Sequence, residues 1–168
     1  MGIRKRAVRG CTALVSSVVI VLPVVAAVAP ANAAEAAAQQ GGQVVISEIA
    51  NGGPGGYHDN FIEVANWGDE PVDVTGWELF RCTGSGSVAS APQNTLQGTI
   101  GAGERWLFAR ESDQSTIADA DVEQRYSTSL ANESYGALLR DSSGEDVDAV
   151  AVQFPGTANQ ACGEGTVL

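Results

Sequence analysis

The chain has 168 residues, with 20 Asp+Glu against 9 Lys+Arg and a net charge of −11. That length suits one domain with a core of its own. Four of the basic residues lie within the first nine positions; beyond Ala33 five arginines and no lysine face all 20 acids, a net charge of −15. This balance excludes a nucleic-acid groove, which needs cations on phosphates, and docking on anionic lipid.

Arg4, Lys5, Arg6 and Arg9 precede an apolar run from Ala13 to Ala29, and Ala31-Asn32-Ala33 follows. A positive segment, an apolar segment and an A-x-A site form a secretory signal peptide over residues 1–33. The run from Gly10 to Ala29 is also long enough to span a bilayer. Pro23 and the small-residue site favour cleavage over an anchor. Cys11 precedes the apolar run, so lipoprotein attachment is not expected. Residues 34–42 are small and polar, with no apolar face, and read as a flexible linker. The expected location is extracellular, with no membrane association after cleavage.

From Gln43 short apolar runs alternate with Gly, Pro, Asn and Asp. Period-2 alternation and turn spacing predict antiparallel strands near 44–49, 61–65, 72–80, 95–100, 105–110, 135–140 and 146–152. Gly76 interrupts the third and reads as a bulge or a close backbone approach. Residues 83–93 read as a long loop. Residues 111–134 are polar and irregular, with one helical turn near 117–122. No amphipathic helix of ten residues is present, so the class is all-β, a sandwich or barrel over 43–155. Residues 156–168 form a C-terminal tail. Trp77 is expected in the core and Trp67, in a turn, at the surface. Period alone leaves the face of Trp106 open.

Beyond the leader only Cys82 and Cys162 remain, and in an exported protein they read as a disulfide. The alternative, a metal or redox pair, lacks neighbouring ligands and a C-x-x-C. His58, the single histidine, stands in a Gly-rich loop, and no G-x-S-x-G elbow occurs. Glu48 with Glu63, Asp119 with Asp121, and Asp146 with Asp148 are carboxylate pairs of the kind an acidic surface supplies by chance. Asp146 and Asp148 are expected on one solvent face. No catalytic residue and no metal site are assigned. Calcium is the one cofactor the loops suggest, through His58-Asp59-Asn60 or through Asp119-Ala120-Asp121 with Glu123. Neither matches the EF-hand ligand pattern, and a solvated acidic loop is the preferred reading.

Four segments in order carry a resemblance to a known family. They are Ile46-Ser47-Glu48-Ile49, Phe61-Ile62-Glu63-Val64-Ala65-Asn66, Val72-Asp73-Val74-Thr75-Gly76-Trp77-Glu78-Leu79 and Ile100-Gly101-Ala102-Gly103-Glu104-Arg105-Trp106-Leu107-Phe108. A final hairpin from Leu138 to Asp148 completes the set. The order and spacing resemble the lamin-tail domain family, in its bacterial secreted form. The resemblance implies an immunoglobulin-like antiparallel β-sandwich that binds or scaffolds, with no catalytic residues to carry over. Filament assembly does not transfer, because no heptad pattern exists.

The expected function is a secreted, non-catalytic module that binds a protein or cell-envelope partner. The alternative is an accessory domain or N-terminal fragment of a secreted hydrolase of nuclease or phosphatase type. A third reading is a calcium-stabilised carbohydrate-binding domain. The expected contact surface is the Gly52–Asn60 loop, with Tyr57, His58, Asp59 and Asn60 as binding residues. Its glycines are expected to leave backbone polar groups open to a ligand.

Overall fold

A computed structural model describes residues 43–132, 134–154 and 162. The expected signal peptide, linker and C-terminal tail lie outside the described residues, apart from Cys162. Among the described residues ten strands follow one another: β1 (Val44–Ala50), β2 (Phe61–Asn66), β3 (Val72–Asp73), β4 (Glu78–Arg81), β5 (Asn94–Thr95), β6 (Thr99–Ile100), β7 (Arg105–Arg110), β8 (Gln124–Tyr126), β9 (Tyr135–Arg140) and β10 (Asp146–Val152). Among the described residues, helix is confined to single 3-10 turns at Tyr57–Asp59 and Asp119–Asp121. The second lies inside the expected helical turn.

Two four-stranded sheets face each other, in the orders β1-β2-β7-β8 and β10-β9-β4-β5, with a small β3-β6 sheet beside them. This is the all-β, immunoglobulin-like sandwich. Side chains bridge both of its open edges. Along one seam the Ile46 N–H donates to Asp148 Oδ2 at 2.6 Å. Along the other, Asn94 Nδ2 donates to the Arg125 carbonyl at 3.3 Å and Gln93 Nε2 to the Thr128 carbonyl at 2.5 Å. Register shifts break β1 between Ile46 and Glu48 and β10 between Asp146 and Asp148. Bulges and inward polar groups of this kind guard sheet edges against a second chain.

The structure corrects four expectations. The segment expected as one strand over 72–80 is two strands in different sheets. Gly76, at φ +81°, belongs to a turn in which the Trp77 N–H donates to the Val74 carbonyl at 3.0 Å. A left-handed φ is open to glycine and strained for a β-carbon. The segment 95–100 divides in the same way, with Gly98 at φ +111°. The two stay paired across the break, since the Gly76 N–H reaches the Leu96 carbonyl at 3.0 Å and the Val74 N–H the Gly98 carbonyl at 2.9 Å. Secondly, β8 lies inside the stretch read as irregular. Thirdly, it pairs parallel to β7, the one exception to antiparallel pairing among the described strands. Lastly, the bulge separates Asp146, which pairs with Arg140, from Asp148, which turns inward to Ile46.

The core takes Val44, Ile62, Val64, Phe108 and Tyr126 from one sheet and Leu79, Ala137 and Leu139 from the other. Trp77 is buried, as expected. Trp106 is buried as well, which resolves its face. Each fully buried large apolar side chain contributes about 1.5–3 kcal/mol. Trp67 stays 59% exposed, with Arg105 stacked 4.8 Å from its ring centre. Cys82 and Cys162 form the expected disulfide, with Cα atoms 6.0 Å apart. Among the described residues, no helix is long and apolar enough to cross a membrane.

Candidate functional site

Strand register separates the two ends of the sandwich. Short turns at 67–71, 101–104 and 141–145 close one end. Longer connections at 51–60 and 82–93, and the one leaving Tyr126, gather at the other. Arg110, the last residue of β7, lies at this second end and pairs with Tyr126 at the close of β8. Sandwich folds present ligands on such loop clusters.

Within 51–60 the backbone folds on itself. The Gly53 N–H donates to the Gly56 carbonyl at 3.1 Å and the Gly56 N–H to the Gly53 carbonyl at 2.9 Å. Gly56 takes φ +66° to enter the 3-10 turn at Tyr57–Asp59. Asp59 is then carried under the loop, where it is 1% exposed. Its Oδ2 accepts from the Gly55 N–H (2.5 Å) and Thr116 Oγ1 (2.5 Å). Its Oδ1 accepts from the Thr116 N–H (2.6 Å) and Ser115 Oγ (3.0 Å). Burial alone raises the Asp59 carboxyl, but these four bonds outweigh it and hold the group well below the usual carboxylate range. A β-carbon on Gly55 would stand 2.8 Å from both Asp59 oxygens. The glycines therefore admit the carboxylate, and the N–H groups of Gly53, Gly55 and Gly56 are spent inside the loop, not left open as expected.

Asn60 is 0% exposed. Its Nδ2 donates to the Tyr57 carbonyl at 2.6 Å and its Oδ1 accepts from the Tyr126 hydroxyl at 2.8 Å. Burial pushes the Tyr126 hydroxyl up, so it remains a donor. Asp59 and Asn60 thus hold the loop in place and do not present polar atoms at its surface. What the loop presents is Tyr57, 55% exposed, and half-buried His58, whose ring centre lies 4.0 Å from that of Tyr57. Beneath them Arg110 places its guanidinium carbon 5.0 Å from the Tyr57 ring centre and donates through Nη1 to the Tyr57 carbonyl at 3.3 Å. Sequence reasoning missed Arg110, which stands at a strand end with no local motif around it.

His58 Nδ1 lies 2.8 Å from Ser112 Oγ. Ser112 Oγ also accepts from the Gln114 N–H at 3.2 Å, and neither His58 ring nitrogen meets a carboxylate among the described residues. A nucleophile–base pair needs a third group to orient the base. The other carboxylate pairs are engaged separately. Glu63 accepts from Ser47 Oγ (2.6 Å) and Arg105 (2.8 Å), and Asp119 accepts from Arg125 at 2.7 Å. Among the described residues, no cluster of three or more His, Cys, Asp or Glu is placed to hold a metal ion.

The family model described as Lamin Tail Domain matches residues 37–153. No curated protein matches the chain.

Proposed function

The chain belongs to the lamin-tail domain family, and on that premise we propose that it is a secreted, non-catalytic module that binds a protein partner at the cell envelope or outside the cell. The observation that carries this reading is Tyr57, exposed above Arg110 on a loop held rigid from below. Tyr and Arg dominate binding hot spots, and a loop that is already ordered loses little entropy on association. The leader sequence supports export, and the disulfide suits an oxidising compartment. With −15 beyond the leader, neither nucleic acid nor anionic lipid is a suitable partner. Asp59 is not read as a cation ligand, because each of its oxygens is taken by two donors of the chain itself.

The test is capture from a cell-envelope extract by wild type and by Tyr57→Ala, beside a melting curve for each. The expected outcome is loss of the captured protein with the variant and an unchanged midpoint, since an exposed ring contributes little to folding. Equal capture by both proteins would count against this loop.

A further inference from the structure

Four of the five arginines in the domain are engaged. Arg105, Arg125 and Arg140 pair with Glu63, Asp119 and Asp146, and Arg110 lies under Tyr57. Arg81, closing β4, has no hydrogen-bond or ion-pair partner for its guanidinium among the described residues. It opens instead onto a cleft of about 300 Å³ shared with Ser90, Gln93, Ser127 and Thr128. Among the described residues, no acidic side chain lines this cleft. The sequence explains why: no charged residue occurs from Cys82 to Gly103, nor from Tyr126 to Asn132. In a strongly acidic chain, the described residues here form an acid-free patch around an unpaired cation.

The walls are built before any ligand arrives. Gln93 Nε2 ties the 82–93 loop to the Thr128 carbonyl at 2.5 Å. The Ala89 N–H donates to the Arg81 carbonyl at 3.0 Å, and Thr83 Oγ1 accepts from the Ser87 N–H at 3.2 Å. The hydroxyls of Ser90 and Ser127 are left without a partner among the described residues. A guanidinium is a planar fork matched to a carboxylate. Hydroxyls donate and accept, which suits a polyol. The adjoining β5 edge is already bridged to β8 by Asn94 and Gln93, so an extended peptide finds no strand edge to join. The volume is at the small end of ligand sites and suits one or two sugar rings.

We propose that this cleft binds a sugar acid, its carboxylate on the Arg81 guanidinium and its hydroxyls on Ser90 and Ser127. The site is separate from the Tyr57 loop and does not depend on it. The net charge makes a single carboxylate at the cleft the favoured match, since a densely charged polymer is repelled by the rest of the domain.

Calorimetric titration with galacturonic acid, its methyl ester and a short peptide with a free C-terminal carboxylate tests this. Wild type is expected to bind the acid, and to bind the ester and the peptide at least about tenfold more weakly, the scale of one charge-assisted contact. Arg81→Gln should lose at least that factor for the acid with an unchanged melting midpoint, Ser127→Ala should lose less, and Tyr57→Ala should bind as wild type. No binding of the acid in the millimolar range, equal binding of ester and acid, tighter binding of the peptide, or full retention by Arg81→Gln would each overturn the proposal.

Discussion

The Asp59 carboxylate gathers donors from both directions along the chain, Oδ2 accepting from Gly55 just before and Thr116 far after, Oδ1 from Ser115 and Thr116. The carboxylate form is what those donors hold, so its pKa in the folded protein lies below the unfolded value. A depressed carboxyl contributes its full stability above the unfolded pKa, about 3.9. That contribution fades as pH falls toward the lower folded value. Asp59→Asn should therefore lower stability by about 2–3 kcal/mol at neutral pH, by leaving buried donors with too few acceptors. The gap between variant and wild type should close as pH drops below about 4, as denaturant titrations at several pH values would register. A gap that widens on acidification would contradict the assignment. The sequence places Asp59 beside Tyr57 and His58 as though the three were equivalent. What separates them is a set of bonds to Ser115 and Thr116, more than fifty residues away, which no local pattern encodes.

Strands with one face on the core were legible because Val, Ile, Leu and Phe recur at period 2 in β1, β2 and β7. β8 was not, since Gln124-Arg125-Tyr126 carries one apolar position and is held by parallel pairing and by Arg125 reaching back to the Arg110 carbonyl at 2.8 Å. The β3–β4 break was half legible, because Gly76 marked the place without saying that the chain changes sheets there. Asp148 was misplaced because a one-residue bulge reverses the face of every residue beyond it. Its partner, the Ile46 N–H, lies on an edge strand. Asp148→Ala should cost about 1–3 kcal/mol for the orphaned donor. It should also raise self-association through the uncovered edge, visible in sedimentation. Gly136 is constrained by closeness: an added β-carbon would meet the Val150 carbonyl at 2.5 Å and Cys82 Sγ at 2.8 Å. Gly136→Ala should lower stability by about 1–3 kcal/mol in a chemical melt.

Across the whole molecule the two ends of the sandwich divide the work. Tight turns close one end, and the other gathers the long loops, the disulfide and the Arg81 cleft. The bridge spans 80 residues of sequence, so Cys162→Ser should remove up to about 4.5 kcal/mol by the chain-entropy account. Equal denaturation midpoints for wild type and variant would show that the crosslink constrains little. The fold and the pairing of the two cysteines could be read from pattern and compartment. The division between ends could not, because it depends on which connection crosses which edge. Tyr57 and Trp67, at opposite ends of β2, are both exposed aromatics stacked on an arginine from β7, which makes them a matched pair of probes. The direct measurement is the affinity of the captured partner for wild type, Tyr57→Ala and Trp67→Ala on an immobilised surface. The expected result is a loss of tenfold or more for Tyr57→Ala, about 1.4 kcal/mol, and wild-type affinity for Trp67→Ala. A loss with Trp67→Ala and none with Tyr57→Ala would place binding at the short-turn end and contradict the assignment of the long-loop end as the contact surface.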